Sequence, residues 1–231
     1  MPPYPLNAWI QSSKMEDTKK EFSLDSAPVK GQVRRPLAER MRPRSITEVF
    51  GQGHILGKGC LLPNLIRENR VSNLILAGPP GSGKTTLASV IAAEGKCKIL
   101  KVNAVTSNAA ELRDTLKLVR YYGSANCFLF VDELHRFNKA QQDLLLPDVE
   151  SGDVRLIGAT THNPRYYIID PLLSRCQLLS LEPIPSPIIE TALQSALQDD
   201  DRGLGARSCT ASKKVIKQIA LLAEGDLRKG F

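Results

Sequence analysis

The sequence predicts an α/β protein in which a parallel β-sheet, flanked by helices, carries a phosphate-binding loop. The apolar run Leu74–Ala77 leads into a turn of the pattern G-x-x-x-x-G-K-T, and apolar residues at helical spacing follow it. A second apolar run, residues 127–131, has the length and composition of a buried parallel strand. Apolar runs that alternate with helical stretches are typical of a doubly wound sheet, which is the fold class expected here.

The loop after the first strand has the residue types that phosphate binding requires. Glycines let backbone N–H groups converge, and these groups and the following helix N-terminus then face a polyphosphate. Lys84 supplies a point charge for the terminal phosphates, and the hydroxyl of Thr85 is a ligand for Mg²⁺. The expected ligand is a purine nucleotide, ATP by default, with Mg²⁺. The predicted nucleotide-binding loop is Gly78, Pro79, Pro80, Gly81, Ser82, Gly83, Lys84, Thr85 and Thr86.

Composition and charge indicate which kinds of partner and which cellular compartment are expected. The 231 residues carry a formal net charge of +7, and residues 1–44 hold nine Lys and Arg against five Asp and Glu. This balance is compatible with an anionic partner such as DNA. No apolar run approaches 18 residues and the N-terminus lacks an apolar signal region, so we expect neither a membrane span nor secretion. The five cysteines form no C-x-x-C pair, which favours a reducing compartment over a metal site or disulfides.

The character of the sequence before the first strand changes at Pro36. Residues 1–35 mix prolines and both signs of charge without periodicity, and we expect a disordered arm there. Ser45 and Glu48 have capping-box spacing, which predicts a short helix from that point. The block lies upstream of the phosphate-binding loop, where a lip for the base can form. A helix over residues 61–66 is expected to follow.

Polar residues follow two of the later strands. A strand is expected over 98–102, a helix over 109–121, and the strand 127–131 ends in Asp132 and Glu133. A carboxylate at the carboxyl end of such a strand lies beside the phosphate-binding loop. Asp132 is therefore expected to hold Mg²⁺, mostly through water, and Glu133 to orient or polarise the attacking water. The strand 154–159 is followed by the polar run Thr160, Thr161, His162 and Asn163, whose side chains can contact the γ-phosphate or the water.

The last part of the chain is predicted to be helical. A strand over 178–181 is followed by Pro183, Pro185 and Pro187, which mark a linker, and Ser186 is expected to cap a helix over 187–198. Helices are also expected over 211–224 and from residue 225 onward. The predicted domains are a disordered arm (1–35), an ATPase core (36–183) and a partial helical lid (184–231).

The order of these motifs resembles the AAA+ ATPases of the clamp-loader group. Within that group the runs at residues 36–43, 130–143 and 157–164 look like the RarA/MgsA family, the replication-associated recombination proteins related to the Werner helicase-interacting ATPase. The similarity covers roughly residues 36–231. The run His-Arg-Phe-Asn-Lys-x-Gln-Gln-Asp at 135–143 is specific to that family, whereas the phosphate-binding loop is shared by many proteins.

The resemblance implies a role for individual residues. Lys84 and Thr85 match Walker A, and Asp132 and Glu133 match Walker B. Thr161 looks like the sensor 1 residue, with Asn163 as the alternative. The Ser-Arg-Cys run makes Arg175 similar to an arginine finger that serves the neighbouring subunit's ATP, and Arg228 is similar to a sensor 2 arginine. The adenine-side lip of the family corresponds to the block from Met41 to Gln52, of which we expect contacts from Met41, Arg42, Phe50, Gly51 and Gln52.

The family resemblance also implies function and partners. It predicts an ATP hydrolase that requires oligomerisation and acts in replication-fork maintenance, recombination and repair. The implied partners are DNA forks, ends and single-strand/duplex junctions, a second copy or full-length relative, and replication proteins, with no membrane. The expected location is the cytoplasm, on the nucleoid, for a bacterial protein and the nucleus for a eukaryotic one.

Other functions stay open from the sequence. Family members continue well past the Gly-Asp-x-Arg helix, so we expect the lid of this chain to be incomplete and the chain to be truncated. A nucleotide-binding module with little turnover, or an inactive or regulatory fragment, is therefore the alternative. Residues 132–135 also spell a D-E-x-H helicase box, but a two-motor helicase needs a second domain for which 231 residues leave no room.

Overall fold

The computed structural model of the protein describes residues 35–207 and 209–231. All of the predicted disordered arm except Arg35 lies outside these ranges. Residues from Pro36 to Phe231 form one of the two units into which the chain divides. The α-helices of this unit are α1 (Leu37–Arg40), α2 (Gly53–Leu56), α3 (Leu62–Arg67), α4 (Lys84–Glu94), α5 (Ala109–Tyr122), α6 (Lys139–Asp143), α7 (Leu146–Ser151), α8 (Pro164–Tyr167), α9 (Asp170–Leu173), α10 (Ser186–Gln198), α11 (Lys213–Leu222) and α12 (Leu227–Gly230).

The strands form the predicted parallel sheet. They are β1 (Leu74–Ala77), β2 (Lys98–Asn103), β3 (Cys127–Asp132), β4 (Arg155–Thr160) and β5 (Gln177–Ser180), and they lie in the order β2-β3-β4-β1-β5. The register pairs Ala77 with Thr160 on one side and with Ser180 on the other. Because all pairings are parallel, the carboxyl ends of β1, β3 and β4 meet at one edge of the sheet.

Helices cover both faces of the sheet. Successive residues of a strand therefore pack alternately into two apolar clusters, one on each face. In β1, Leu74 and Leu76 pack into one apolar cluster and Ile75 into another. In β3, Phe128 and Phe130 join the first cluster, while Cys127, Leu129 and Val131 join the second. Such near-continuous apolar strands are expected where both faces of a parallel sheet are buried. A third cluster lies among α10, α11 and α12 and contains Ile184, Ile189, Leu193, Ile216, Ala220 and Ala223.

The predicted capping interactions differ from the structure at two places. Residues Ile46–Glu48 form a 3₁₀ turn after Ser45, but the Ser45 hydroxyl contacts that of Thr47 rather than a backbone N–H. The Glu48 carboxylate instead accepts from the backbone N–H of Arg44, so no capping box forms. Ser186 is the first residue of α10 rather than its cap, and Pro185 holds the cap position without a side-chain hydrogen bond.

The remaining element boundaries lie within one or two residues of the predicted ones, as expected where helix ends fray. None of the helices formed by the described residues combines the length and apolar character needed to cross a bilayer.

Candidate functional site

A cleft that is open to solvent lies at the carboxyl edge of the sheet. Segments far apart in the sequence meet there: the lip before β1, the loop after β1, the ends of β3 and β4, and the segment from α12 onward. Its lining residues are Ala38, Met41, Arg42, Pro43, Val49, Phe50, Pro80, Gly81, Ser82, Gly83, Lys84, Thr85, Thr86, Asp132, Glu133, Thr161, Ile184, Leu227, Arg228 and Phe231.

The loop between β1 and α4 has a backbone that favours glycine at two positions. Gly81 and Gly83 have φ angles of +73° and +97°, which residues with a Cβ rarely adopt. A Cβ on Gly81 would also overlap the carboxyl group of Asp226. The loop is therefore tightly curved and packed closely against the start of α12.

The start of α4 suits an anionic group. Gly83 holds the cap position, and no side chain of the described ranges caps the helix there. The first N–H groups of a helix have no acceptor within the helix, and its dipole favours negative charge. The buried Ser82 hydroxyl likewise has no hydrogen-bond partner within residues 35–207 and 209–231. These donors fit the phosphates of a nucleotide.

Lys84 is the first residue of α4 and lines the cleft. Its Nζ donates to the carbonyl oxygens of Gly78 and Pro79, each at 2.8 Å. Burial lowers the pKa of the Lys84 ammonium, while the carboxylates of Glu133 and Asp132 act in the opposite direction. Gly78 and Pro79 thus contribute backbone carbonyls behind the cleft rather than lining it.

Asp132 and Glu133 enter the cleft from the end of β3. Burial, followed by the charge of Glu133, raises the pKa of the Asp132 carboxyl. The backbone of Glu133 is left-handed (φ 53°), an uncommon conformation for a residue with a side chain. Its Oε2 accepts a hydrogen bond from the Thr161 hydroxyl at 3.3 Å. With the hydroxyl of Thr85, Asp132 offers the hard oxygen ligands that suit Mg²⁺.

The predicted lip divides into lining and supporting residues. Met41, Arg42 and Phe50 line the cleft, whereas Gly51 and Gln52 lie outside its lining. The buried Gln52 amide donates to the carbonyls of Ser82 at 3.2 Å and Glu182 at 2.8 Å. Its carbonyl oxygen accepts from the N–H of Glu182. Gln52 therefore fixes the phosphate-binding loop to the segment that follows β5.

Two predicted site residues lie away from the cleft. The side-chain Oδ1 of Asn163 caps α8 by accepting from the N–H of Arg165. Arg175 lies at the amino edge of the sheet, where its carbonyl accepts from the side chain of Asn73. Its guanidinium donates to Pro171 O and pairs with Glu150, both at 2.8 Å.

From order along the chain alone, Arg175 is expected to lie across the sheet from the phosphate-binding loop, because it comes just before the last strand. This expectation is wrong in one respect, because β5, which follows Arg175, pairs directly with β1. The separation exists because Arg175 precedes β5, whereas the phosphate-binding loop follows β1. The two sites lie at opposite ends of neighbouring parallel strands.

Sequence reasoning missed two groups of residues. The apolar residues that complete the cleft, Ala38, Pro43, Val49, Ile184, Leu227 and Phe231, carry no recognisable motif. The other group lies behind Glu133, where the rings of His135 and His162 have centroids 4.1 Å apart. The sequence predicts a loop position for His162. The signal that could have identified this residue is its position just after the end of a predicted strand.

Known proteins share this arrangement of segments. The family model of the RuvB Holliday junction DNA helicase P-loop domain matches residues 41–177. Replication-associated recombination protein A of Escherichia coli (strain K12) is 41% identical over 198 residues, which are 85% of this chain and 44% of that protein. ATPase WRNIP1 of Dictyostelium discoideum is 37% identical over 196 residues, 84% of this chain and 22% of that protein.

A solved structure shows the same fold. The Thermotoga maritima RuvB Holliday junction branch migration motor is similar with a TM-score of 0.65 and 27% sequence identity. The match covers 83% of this chain and 63% of that one. This chain spans less than half the length of the two curated relatives.

Proposed function

Since the chain belongs to the RuvB-type P-loop domain family, within the RarA/MgsA group of AAA+ ATPases, we propose that it hydrolyses ATP and acts on DNA. The observation that carries this proposal is the convergence of Lys84, Asp132, Glu133 and Thr161 on one cleft. A cation, two carboxylates and a hydroxyl beside a helix N-terminus form a site for polyphosphate hydrolysis. The proposed biological setting is replication-fork maintenance, recombination and repair.

The positions of the polar and apolar residues in the cleft suggest a role for several of them. The loop N–H groups and Lys84 hold the phosphates, and Met41, Arg42 and Phe50 receive the adenine side. Glu133 orients the attacking water and accepts its proton, while the hydroxyl of Thr161 holds the Glu133 carboxylate at 3.3 Å. Thr161 is thus the better candidate than Asn163 for the sensor 1 position, because the Asn163 side chain caps α8.

Thr85 and Asp132 are the residues that would hold Mg²⁺. The bound ion would neutralise charge on the phosphates. Arg228 lines the cleft from the start of α12. Its proposed role is that of a sensor 2 arginine that contacts phosphate. We also propose the domain division into a core (36–183) and a helical lid (184–231), since the third apolar cluster lies within the latter.

The position of Arg175 supports hydrolysis between subunits. At the amino edge of the sheet it lies opposite the cleft of its own chain, so it can act only on the ATP of a neighbour. A head-to-tail interface between copies, or with a full-length relative, brings it to that ATP. A single chain is then a nucleotide-binding module with little turnover, which is the second candidate function and follows from the same observation.

DNA is the proposed activating partner, at forks, ends and single-strand/duplex junctions. The net charge of +7 supports an anionic partner. Replication proteins are further proposed partners. The proposed place of action is the nucleoid in the cytoplasm of a bacterium or the nucleus of a eukaryote, where DNA lies.

The test is phosphate release from ATP by the full chain with forked, single-stranded or no DNA, at about 0.15 M salt. The Lys84→Ala variant reports the background. We expect forked DNA to raise turnover above that of the DNA-free chain. Tight nucleotide binding with turnover equal to that of Lys84→Ala, at every DNA and protein concentration, would instead establish the binding module.

A further inference from the structure

The side chain of His135 lies directly behind Glu133. It follows β3 in the 3₁₀ turn Leu134–Arg136, and it is only 4% exposed. Its Nδ1 lies 3.0 Å from the hydroxyl oxygen of the buried Thr160 and 3.3 Å from Glu133 Oε2. A buried ring nitrogen therefore faces the carboxylate proposed to activate water.

The surrounding hydrogen bonds determine which nitrogen of His135 carries the proton. The Thr160 hydroxyl donates to the carbonyl oxygen of His162, so its oxygen is left to accept. An ionised Glu133 carboxylate can only accept as well. A proton on Nδ1 suits both neighbouring oxygens, whereas a lone pair on Nδ1 would face the Glu133 carboxylate at 3.3 Å.

His162 reaches the same carboxylate through a hydroxyl. Its Nδ1 lies 3.2 Å from Thr161 Oγ1, and the Thr161 hydroxyl donates to Glu133 Oε2. Since Thr161 has one proton to give, His162 Nδ1 must donate to it. The ring of Tyr167 packs edge-on against both imidazoles, with centroids 4.9 Å from His162 and 6.0 Å from His135.

The charge state of His135 agrees with a single proton on its ring. Burial, and then the neighbouring His162, lower the pKa of His135, although Glu133 acts in the opposite direction. His135 is therefore a neutral imidazole near pH 7, with a single N–H. The contact with Thr160 and the packing against His162 and Tyr167 hold that ring with Nδ1 beside Glu133 Oε2.

We propose that His135 is a positioning residue for Glu133: its imidazole, held by the contact of Nδ1 with the Thr160 hydroxyl and lying 3.3 Å from Oε2, fixes the direction of the carboxylate, and His162 supports it through Thr161. The proposal rests on the proposed role of Glu133 in hydrolysis. Activity depends on such positioning, because a displacement of about 1 Å can cost on the order of 10²-fold in rate. His135 touches neither nucleotide nor water in this role, so its removal affects turnover and leaves binding intact.

Three substitutions at one position separate positioning from packing. The side-chain nitrogen of His135→Asn lies near the position of Nδ1, whereas that of His135→Gln lies near Nε2, and His135→Ala has neither. We expect Gln and Ala to lower kcat roughly 10- to 100-fold with nucleotide affinity unchanged, and Asn to restore most of the rate. His54→Asn, at an exposed histidine that contacts Ser180, is the matched control and should equal the parent.

A second measurement needs no variant to be active. The chain has three histidines, so ¹⁵N spectra of the imidazoles are simple to assign. We expect His135 and His162 to carry the proton on Nδ1. His54 should carry it on Nε2, because that nitrogen lies 2.8 Å from the carbonyl oxygen of Ser180.

The outcomes also distinguish this inference from the proposed function. A parent chain without ATPase activity contradicts the function, while its spectra still test the proton on His135. An active parent whose Asn, Gln and Ala variants are equally fast, or equally slow, contradicts the positioning role. So does a His135 proton on Nε2, even if the Ala variant fails to fold.

Discussion

The Lys84 ammonium donates a hydrogen bond to the carbonyl oxygen of Gly78 at 2.8 Å, and so closes the loop that joins β1 to α4. The two residues are six positions apart along the chain, and a second bond to Pro79 holds the same ammonium. The charge is thereby fixed beside the first N–H groups of α4. Lys84 and the N-terminus of α4 therefore attract the same phosphates, so that loss of the Lys84 charge should weaken nucleotide binding.

Lys84→Ala should nearly abolish ATP binding. The substitution removes a charge-assisted hydrogen bond worth about 1.5–3 kcal/mol, which is roughly a 10- to 150-fold loss of affinity. Fluorescent nucleotide titration or calorimetry measures it. Lys117→Ala, at an exposed pair with Asp114 on α5, is the matched control. Equal affinities of parent and Lys84→Ala would place the phosphates elsewhere.

Glu133→Gln should bind ATP normally and hydrolyse it slowly. The amide keeps the size of the side chain and still accepts from Thr161, but it cannot accept a proton. Loss of a general base lowers the rate roughly 10²- to 10⁴-fold. Single-turnover phosphate release measures it, with Glu111→Gln on α5 as the control. A variant as fast as the parent would assign proton transfer to another group.

Arg175→Ala should bind ATP at parental affinity and lose the ATPase activity that depends on contact between chains. An arginine finger is worth about 10³- to 10⁵-fold in rate, and Arg175 can reach only a neighbouring chain. Parental turnover should rise with protein concentration, or with DNA that gathers the chains.

A mixing experiment isolates this role. Arg175→Ala retains Glu133, and Glu133→Gln retains Arg175, so the mixture should recover activity that neither chain has alone. Arg70→Ala, at an exposed pair with Glu68, should match the parent. Rapid turnover by dilute chains that does not depend on Arg175 would contradict hydrolysis between subunits.

An ion-pair network joins the lip to the loop after α10, and it should make stability depend on pH. Arg202 contacts Glu48 at 2.9 Å and Asp199 at 3.1 Å. Hydrogen bonds from Arg202 lower the pKa of the Glu48 and Asp199 carboxyls. Groups with a lowered folded-state pKa stabilise the fold above their ordinary pKa, and this contribution is lost as the pH falls through the folded value.

Arg202→Gln should therefore be less stable than the parent at pH 7, and the difference should close below about pH 4. Glu48 is partly exposed, so the expected difference is small, about 0.2–1 kcal/mol. Urea unfolding across pH measures it, with Lys117→Gln as a control for surface charge. A difference that persists unchanged at pH 3 would have another cause than these carboxylates.

Local motifs explain why much of the site could be predicted. The G-x-x-x-x-G-K-T loop is contiguous, and its geometry depends on nearby backbone angles such as those of Gly81 and Gly83. Asp132 and Glu133 end an apolar run, and the carboxyl ends of parallel strands meet at one edge of a sheet. The fold class follows from the same alternation of strands and helices, and comparison with known proteins confirmed it.

Contacts between distant segments could not be predicted, because periodicity and spacing describe only neighbours along a chain. The pairing of β5 with β1 decides that Arg175 lies at the opposite edge from Lys84. Pairing of β3 with β4 brings His135 to within ring contact of His162, 27 residues later. The residue types within each loop specify the chemistry that the loop could carry. The side chains behind Glu133, and the edge of the sheet at which Arg175 lies, depend on the folded arrangement, because strand order and burial are set by packing of the whole sheet.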